Sequence, residues 1–377
     1  MNLPTLQVAA ASGPGDLRRF IDLPWRLYAG DPCWVPPLRA KVRELLDLRH
    51  PFYRDGAAER EIFLARRGSR VVGRVVAIAN HAYNAYHKDR TGFFGFFECE
   101  DDQAVADGLL EAAADWLRSR GCDAMLGPVS PSTNYEAGLL VDGFDTPPTV
   151  MMAYNPRRYK ELLEQAGLEK AKDLHAYLSE VHPASLERLA RLAERTSKRE
   201  PGLVCRAANL ERLDVEAVWI RDIYNSAWAD NWGFVPTSDA EFAALARELK
   251  PLAVPELLRI AFMGDDPAGF LLALPDANPA LAVLNGTLWN PFRLIRALVV
   301  GRRKAGLRLI TMGVKEQYRL RGIEGVMFYQ GLRAALENGY SWCEYSWILE
   351  DNELAKRTVR LMDARLAKVY RIYARAL

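Results

Sequence analysis

The chain has 377 residues, half of them apolar and 26% charged, with a formal net charge of +2. That length exceeds one ordinary core and predicts two domains, and the near-balanced charge excludes a dedicated nucleic-acid binder, which carries a basic excess on one face. Five cysteines without a C-x-x-C pair predict reduced thiols and a cytoplasmic protein; no basic region precedes an apolar core at the N-terminus, so no signal peptide is expected; and the most apolar long stretch, 281–300, is too broken by Asn285, Asn290, Pro291, Arg293 and Arg296 to span a membrane.

Taken in chain order, a strand at 5–11 and a helix near 15–29 lead to Trp34-Val35-Pro36. Paired strands at 61–66 and 71–79 follow, joined by a Gly-Ser turn. A strand at 92–99, a helix at 103–119 and a strand after Gly121 come next, then a helix at 154–167 and a strand at 173–178. The same order returns from 203: strand 203–208, helix 212–227, Trp232 to Pro236, hairpin strands 257–263 and 268–274, strand 307–314, helix 322–338, a strand after Gly339, helix 352–363 and strand 366–373. The helix starts at 103 and 322 precede the next strands, at 122 and 341, by the same 19 residues. A repeat of this length, with helices and strands alternating, predicts two tandem mixed α/β sheets with flanking helices. The boundaries are 1–180 for the first domain, 181–202 for a charged linker and 203–377 for the second.

The turn before the second long helix contains Arg319, Leu320, Arg321, Gly322, Ile323 and Gly325. The first N–H groups of a helix have no partner inside it and its dipole favours an anion there, so this basic turn predicts a phosphate site. The corresponding turn of the first half is Glu98-Cys99-Glu100-Asp101-Asp102. Those carboxylates suit a helix N-terminus but repel a pyrophosphate, so the second copy is the binding copy and the first its degenerate partner.

With these elements in hand, the chain resembles the GNAT superfamily of N-acyltransferases twice over. The turn Arg319-Leu320-Arg321-Gly322-Ile323-Glu324 is similar to the family's [QR]-x-x-G-x-[GA], which holds the pyrophosphate of coenzyme A; Glu324 departs from the second small residue. Asn352 and Ala355 match the later N-x-x-A, whereas the family's thiolate-protonating tyrosine corresponds to Val359. The segments around Asn134, Tyr135 and Gly138, around Trp228, Asn231 and Trp232, and the closing Lys368-Val369-Tyr370-Arg371 look like the bacterial ceramide-synthase-like group. The resemblance implies an acyl-CoA or acyl carrier protein donor and a long-chain sphingoid amine acceptor; no metal is expected, because the sequence has no metal-ligand spacing. It also implies an oxyanion donor among the backbone N–H groups of Met312, Gly313 and Val314, donor contacts from the basic turn and Asn352, and acceptor contacts from Asn134, Tyr135, Trp228, Asn231 and Trp232. An acetyltransferase for a small amine or protein, and a non-catalytic acyl-CoA or lipid-binding module, are the alternatives.

A general base is sought among carboxylates forced into apolar strands. Glu344, within Trp342-Cys343-Glu344-Tyr345-Ser346-Trp347, is the first candidate, against the reading of a glutamate paired with an arginine or on an exposed strand face. Tyr345 follows it, but strand alternation turns the two to opposite faces, so they cannot line one pocket. Glu98 is the alternative base. His81 and His87 are expected in a polar loop without metal-ligand spacing. Finally, 291–304 carries five cations and no acid among apolar residues. This insertion is read as resting on the anionic inner face of a membrane or covering an apolar channel, against an ordinary surface helix.

Overall fold

The computed structural model describes residues 4–303 and 305–377, so Lys304, the last cation of the basic insertion, lies outside the described residues. The first half comprises β1 (Leu6–Ala10), α1 (Gly13–Leu27), α2 (Arg39–Leu45), β2 (Ala58–Arg67), β3 (Arg70–Asn80), α3 (His81–His87), β4 (Thr91–Cys99), α4 (Gln103–Ser119), β5 (Ala124–Gly127), the short β6 (Val129–Ser130) and β7 (Glu136–Ala137), β8 (Leu139–Asp142) and α5 (Tyr159–Gln165). Next come β9 (Glu169–Glu180), α6 (Pro183–Arg199), β10 (Leu203–Ala207), α7 (Leu213–Trp228), α8 (Asp239–Leu249), β11 (Leu258–Met263) and β12 (Asp266–Pro275). The chain closes with α9 (Asn278–Leu284), α10 (Pro291–Gly301), β13 (Gly306–Val314), α11 (Ile323–Glu337), β14 (Trp342–Leu349), α12 (Glu353–Arg360) and β15 (Arg365–Ala376).

The chain forms two compact units, and their boundaries are not a single cut at a linker. The first contains Met1–Leu174, Asn278–Val300 and Lys368–Leu377; the second contains His175–Ala277 and Gly301–Ala367. The difference from the expected 1–180, 181–202 and 203–377 has two physical sources. The end of the last strand pairs antiparallel with β5, Tyr373 opposite Gly127 and Ala376 opposite Ala124, so it closes the first sheet. The expected linker is mostly α6, whose Ser185, Leu189, Ala193 and Thr196 recur at a helical period and are buried.

In the first unit the strands follow the order β1-β2-β3-β4-β5-β15, with β4 parallel to β5 and the other described pairs antiparallel. Val105, Leu109, Ala113 and Leu117 of α4 pack on one face of this sheet with Val75, Ala77, Phe94 and Tyr159. In the second unit the order is β14-β13-β12-β11-β10, with β13 parallel to β14. Its α11 face holds Leu271, Leu307, Met327 and Tyr345, and its α7 face holds Ile220, Ile223, Ile260 and Phe270. Each helix covers the sheet with a 3.6-residue stripe, while the strands supply alternate residues to the two faces.

Both sheets contain a parallel pair that separates. In the first unit β4 pairs with β5 only from Thr91 to Phe93, and the gap beyond is filled by the chain itself. β6 follows directly on β5; the Phe96 N–H donates to Ser130 Oγ at 3.0 Å, and a Cβ at Gly95 would fall 1.6 Å from the Val129 carbonyl oxygen. No side chain fits at Gly95 while β6 holds that place. Gly95→Ala is therefore expected to destabilise the protein by about 1–3 kcal/mol or more, as overpacking does, read as a lower urea midpoint; an unchanged midpoint would show that β6 does not press on β4.

Candidate functional site

In the second unit the corresponding gap stays open. β13 pairs with β14 from Gly306 opposite Trp342 to Leu309 opposite Tyr345, and no further. Its other edge remains on β12 up to Val314, with one register shift that leaves Ile310 as an extra residue. Leu309 to Met312 are accordingly only half-buried although they lie inside the strand order.

The direction of the backbone groups along this edge follows from one bond. The Lys315 N–H donates to the Ala268 carbonyl at 2.9 Å, on the β12 side. N–H directions alternate along a strand, so Gly313 also faces β12, while Met312 and Val314 direct their N–H groups at the opened edge. Of the three oxyanion candidates, these two have the required direction. Gly313 instead makes room for an aromatic ring, since Trp228 lies on it so closely that a Cβ there would be 2.2 Å from Cζ3. Trp228 stacks on Tyr224 at 4.8 Å and packs against Phe270. Thr311 shares the face of Gly313, and its hydroxyl is buried without a protein partner, as is the side-chain oxygen of Asn225 one turn before Trp228. Neither was among the expected site residues: Asn225 opens the segment with Trp228 and Asn231 that carries the family resemblance, but Thr311 had no signal in the sequence, because a polar side chain acquires meaning only from the neighbours it lacks.

The turn that follows runs from Lys315 through Tyr318 to α11, with Leu320 at φ 64° and Gly322 at φ 86°. A leucine in the left-handed region costs about 1–2 kcal/mol, and Leu320 is also 86% exposed. The cations of this turn are less free than their spacing implied. Lys315 bonds Asp222 at 2.7 Å and Asp266 at 3.1 Å, and Arg321 pairs with Glu200. Burial pulls the Lys315 ammonium down, but the two aspartates outweigh it and leave its pKa raised. Arg319 instead donates to the Ala227 carbonyl at 3.0 Å and has no ion pair among the described residues, so it has the most charge to offer a phosphate.

The glycines of the turn admit a helix. A Cβ at Gly322 would meet the Thr196 hydroxyl at 2.5 Å, and one at Gly325 would meet Leu192 at 2.7 Å, both on α6. The Arg199 guanidinium also donates to the Arg321 carbonyl. The space beside Gly322 and Gly325 that the sequence assigned to a ligand is thus occupied by α6, and Ile323 is buried in the core with α11, which leaves the side chains of Arg319, Leu320, Arg321 and Glu324 at the surface of the turn. Asn352 caps α12, accepting from the Ala355 N–H at 3.0 Å.

Glu344 lies at the fork where β13 and β14 part, on the sheet face opposite α11. It is 2% exposed, accepts from Ser346 Oγ at 2.6 Å, and stands across from Arg308, which itself donates to Ser346. Tyr345 is on the other face as alternation required, buried against Phe328 with its hydroxyl 3.2 Å from Ser179, and burial holds the phenol well above its ordinary pKa. The acid candidates are therefore not in one pocket. Asn134 and Tyr135 belong to the first unit, where Tyr135 packs on His50 and Phe52; Trp228, Asn231 and Trp232 belong to the second. The expected polar loop at His81 and His87 is the helix α3, with His81 paired to Glu59 at 3.0 Å and His87 against Tyr83.

Glu98 is enclosed within the first unit. Its carboxylate accepts from Tyr28 at 2.9 Å and Tyr159 at 2.8 Å, with Arg74 at 3.7 Å. Desolvation pushes its pKa up to about 7, against the pull of Arg74 and the two phenols. The neighbouring carboxylates are also engaged: Asp102 caps α4 and pairs with Arg67, and Glu100 meets Arg26 and Arg70. This copy offers a carboxylate network where the second offers an opened edge and Arg319.

Comparison with known proteins agrees with this architecture. No family model matches the chain. A protein named bacterial ceramide synthase, from Caulobacter vibrioides, is 37% identical over 384 residues, spanning 99% of this chain and 98% of that protein. Protein YghO of Escherichia coli K12 is 34% identical, spanning 95% and 92%. Among solved structures, a tandem GNAT protein from the clavulanic acid biosynthesis pathway aligns with a TM-score of 0.57 at 12% identity, over 99% of this chain and 98% of that one. A GCN5-related N-acetyltransferase from Sphaerobacter thermophilus gives 0.52 at 13%, over 100% and 97%. At such identities the two structures establish the fold, a tandem GNAT arrangement.

Glu98 gives a pH signature for the first unit. A carboxylate whose folded pKa is raised contributes stability fully below its unfolded value, near 4.5, and loses it as pH rises through about 7. The thermal midpoint of the wild type is expected to fall between pH 5 and 8 more steeply than that of Glu98→Gln, which carries no titrating proton. Parallel profiles for the two proteins would contradict the buried, protonated state.

Proposed function

This chain is an N-acyltransferase belonging to the family of the bacterial ceramide synthase, and from that premise we propose that it moves a fatty acyl group from an acyl thioester to a long-chain sphingoid amine. The full-length similarity to that protein carries the choice of acceptor. The donor is acyl-CoA or an acyl carrier protein, whose shared phosphopantetheine arm runs along the opened edge of β13. In this reading Arg319 and the first turn of α11 meet the donor phosphate, and the N–H groups of Met312 and Val314 receive the carbonyl oxygen as it gains charge. Trp228, Asn231 and Trp232 border the amine, with Asn225 and Thr311 offering polar contacts. The protein makes peripheral contact with the inner membrane face, an apolar surface suited to a long-chain amine.

The chemistry needs a neutral amine, an activated carbonyl and a departing thiol. An amine of pKa near 9 to 10 costs roughly 3 kcal/mol to deprotonate at pH 7, and Glu344, at the fork on the Trp228 face, is the acid residue assigned to take that proton. Loss of the family tyrosine at Val359 matters little, because a thiol of pKa about 8.5 leaves as thiolate at a cost of about 1.4 kcal/mol per unit below that value.

Thiol release from acyl-CoAs of graded length, with and without sphinganine, tests the assignment. Release that requires sphinganine and rises with acyl length is expected. Release with a small amine alone would make the protein a small-amine acetyltransferase, and no release with any amine would make it a binding module. Arg319→Ala is expected to raise KM for acyl-CoA about tenfold, the value of one charged hydrogen bond. Glu344→Gln is expected to lower kcat about 10²-fold with KM nearly unchanged, the usual contribution of a positioned base. A kcat that instead tracks a lowered unfolding midpoint would reduce Glu344 to a partner of Arg308 and Ser346.

A further inference from the structure

The insertion between β12 and β13 is pinned at its base. Trp25 Nε1 donates to Asn285 Oδ1 at 2.8 Å, the Arg39 N–H donates to the Gly286 carbonyl at 3.1 Å, and the Arg39 guanidinium donates to the Asn285 carbonyl while lying 3.6 Å over the Trp25 ring. All these groups belong to the first unit.

Past that clamp the polarity of the chain is inverted. A surface helix of a soluble protein turns its apolar stripe to the core. α10 instead buries Ala297 and half-buries Arg293 and Val300, at i, i+4 and i+7, and directs Phe292, Ile295 and Val299 outward with Leu298 beside them. Trp289 is 94% exposed, Phe292 81% and Ile295 62%. A contiguous exposed ridge of this kind marks an interaction surface.

The charges decide the partner. From 289 to 304 the sequence has no acid; Arg296 is exposed on the helix, Arg293 lies at its half-buried side, and the exposed Arg302 and Arg303 follow it. A tryptophan at headgroup depth, aliphatic side chains entering the acyl boundary and arginines at the phosphates together match an anionic bilayer surface. No helix of the described residues is long and apolar enough to cross a membrane, so the contact is interfacial.

We propose that Trp289 and α10 form a membrane-inserting anchor that seats the protein on anionic lipid. Its functional purpose rests on the long-chain acceptor reading, since the bilayer is then the reservoir of the amine; the lipid contact itself does not.

The test is co-sedimentation of the full chain with phosphatidylglycerol–phosphatidylethanolamine vesicles and with phosphatidylcholine vesicles, alongside analytical ultracentrifugation without lipid. Binding to the anionic vesicles is expected, weaker by more than tenfold in the triple variant Trp289→Ser, Phe292→Ser, Ile295→Ser. Arg296→Gln with Arg302→Gln and Arg303→Gln is expected to lose roughly a hundredfold, about fivefold per arginine beside an anionic surface. Both variants should keep thiol release with detergent-dispersed substrate, so loss of lipid binding is distinguished from loss of the acyl transfer itself. Equal sedimentation of wild type and triple variant, or binding indifferent to phosphatidylglycerol, would overturn the proposal. So would a wild-type dimer that the triple variant converts to monomer, because the ridge would then be covered by a second copy.

Discussion

The parting of β13 from β14 after Leu309 is the constraint on which the site depends. A strand edge leaves alternate N–H and carbonyl groups without ladder partners, and backbone donors are costly to bury unpaired. A groove along that edge therefore favours an extended ligand that can complete the ladder, and an acyl-pantetheine arm, with its amides and thioester carbonyl, has that form. The extra residue at Ile310 and the nearby Gly313 serve the same opening. One shifts the register as the strands separate, and the other lets the indole of Trp228 close the α7 side.

The first unit contains the same fork with the opposite outcome. β6 fills the gap beside β4, Gly95 leaves room for it, and the acidic turn is consumed by capping and by arginines from neighbouring strands. The two halves therefore share the order of elements but differ at the fork, which is filled in one and open in the other. The end of β4 in this unit also carries the buried Glu98, whose carboxyl group is held by the phenols of Tyr28 and Tyr159.

Much of this architecture was legible in sequence because it rests on local signals. The helix at 103–119 was delimited by the acidic run before it and the glycine after it, and the duplicated spacing identified the second long helix with it. Three features could not be seen. The neutralisation of Lys315 and Arg321 depends on Asp222, Asp266 and Glu200, which are close only after folding. The stretch around Ser185 to Gly202 looked like a linker because its apolar residues are sparse, yet Leu189, Ala193 and Thr196 suffice to pack α6. The packing of α6 on Gly322 and Gly325 was likewise hidden, since a glycine announces close approach without saying whether a ligand or a helix approaches. The exposed ridge of α10 was visible as a cationic, acid-free run, but only the burial of Ala297 shows which face is turned outward.

The central claim is that the donor lies along β13 of the second unit and leaves the first unit's fork untouched. Hydrogen–deuterium exchange with and without a long-chain acyl-CoA tests this at the residues concerned. Slowed exchange is expected at 310–314 and 319–326, with 94–99 and 124–130 unchanged. Protection confined to the first unit, or none at Met312 and Val314 under saturating ligand, would contradict it.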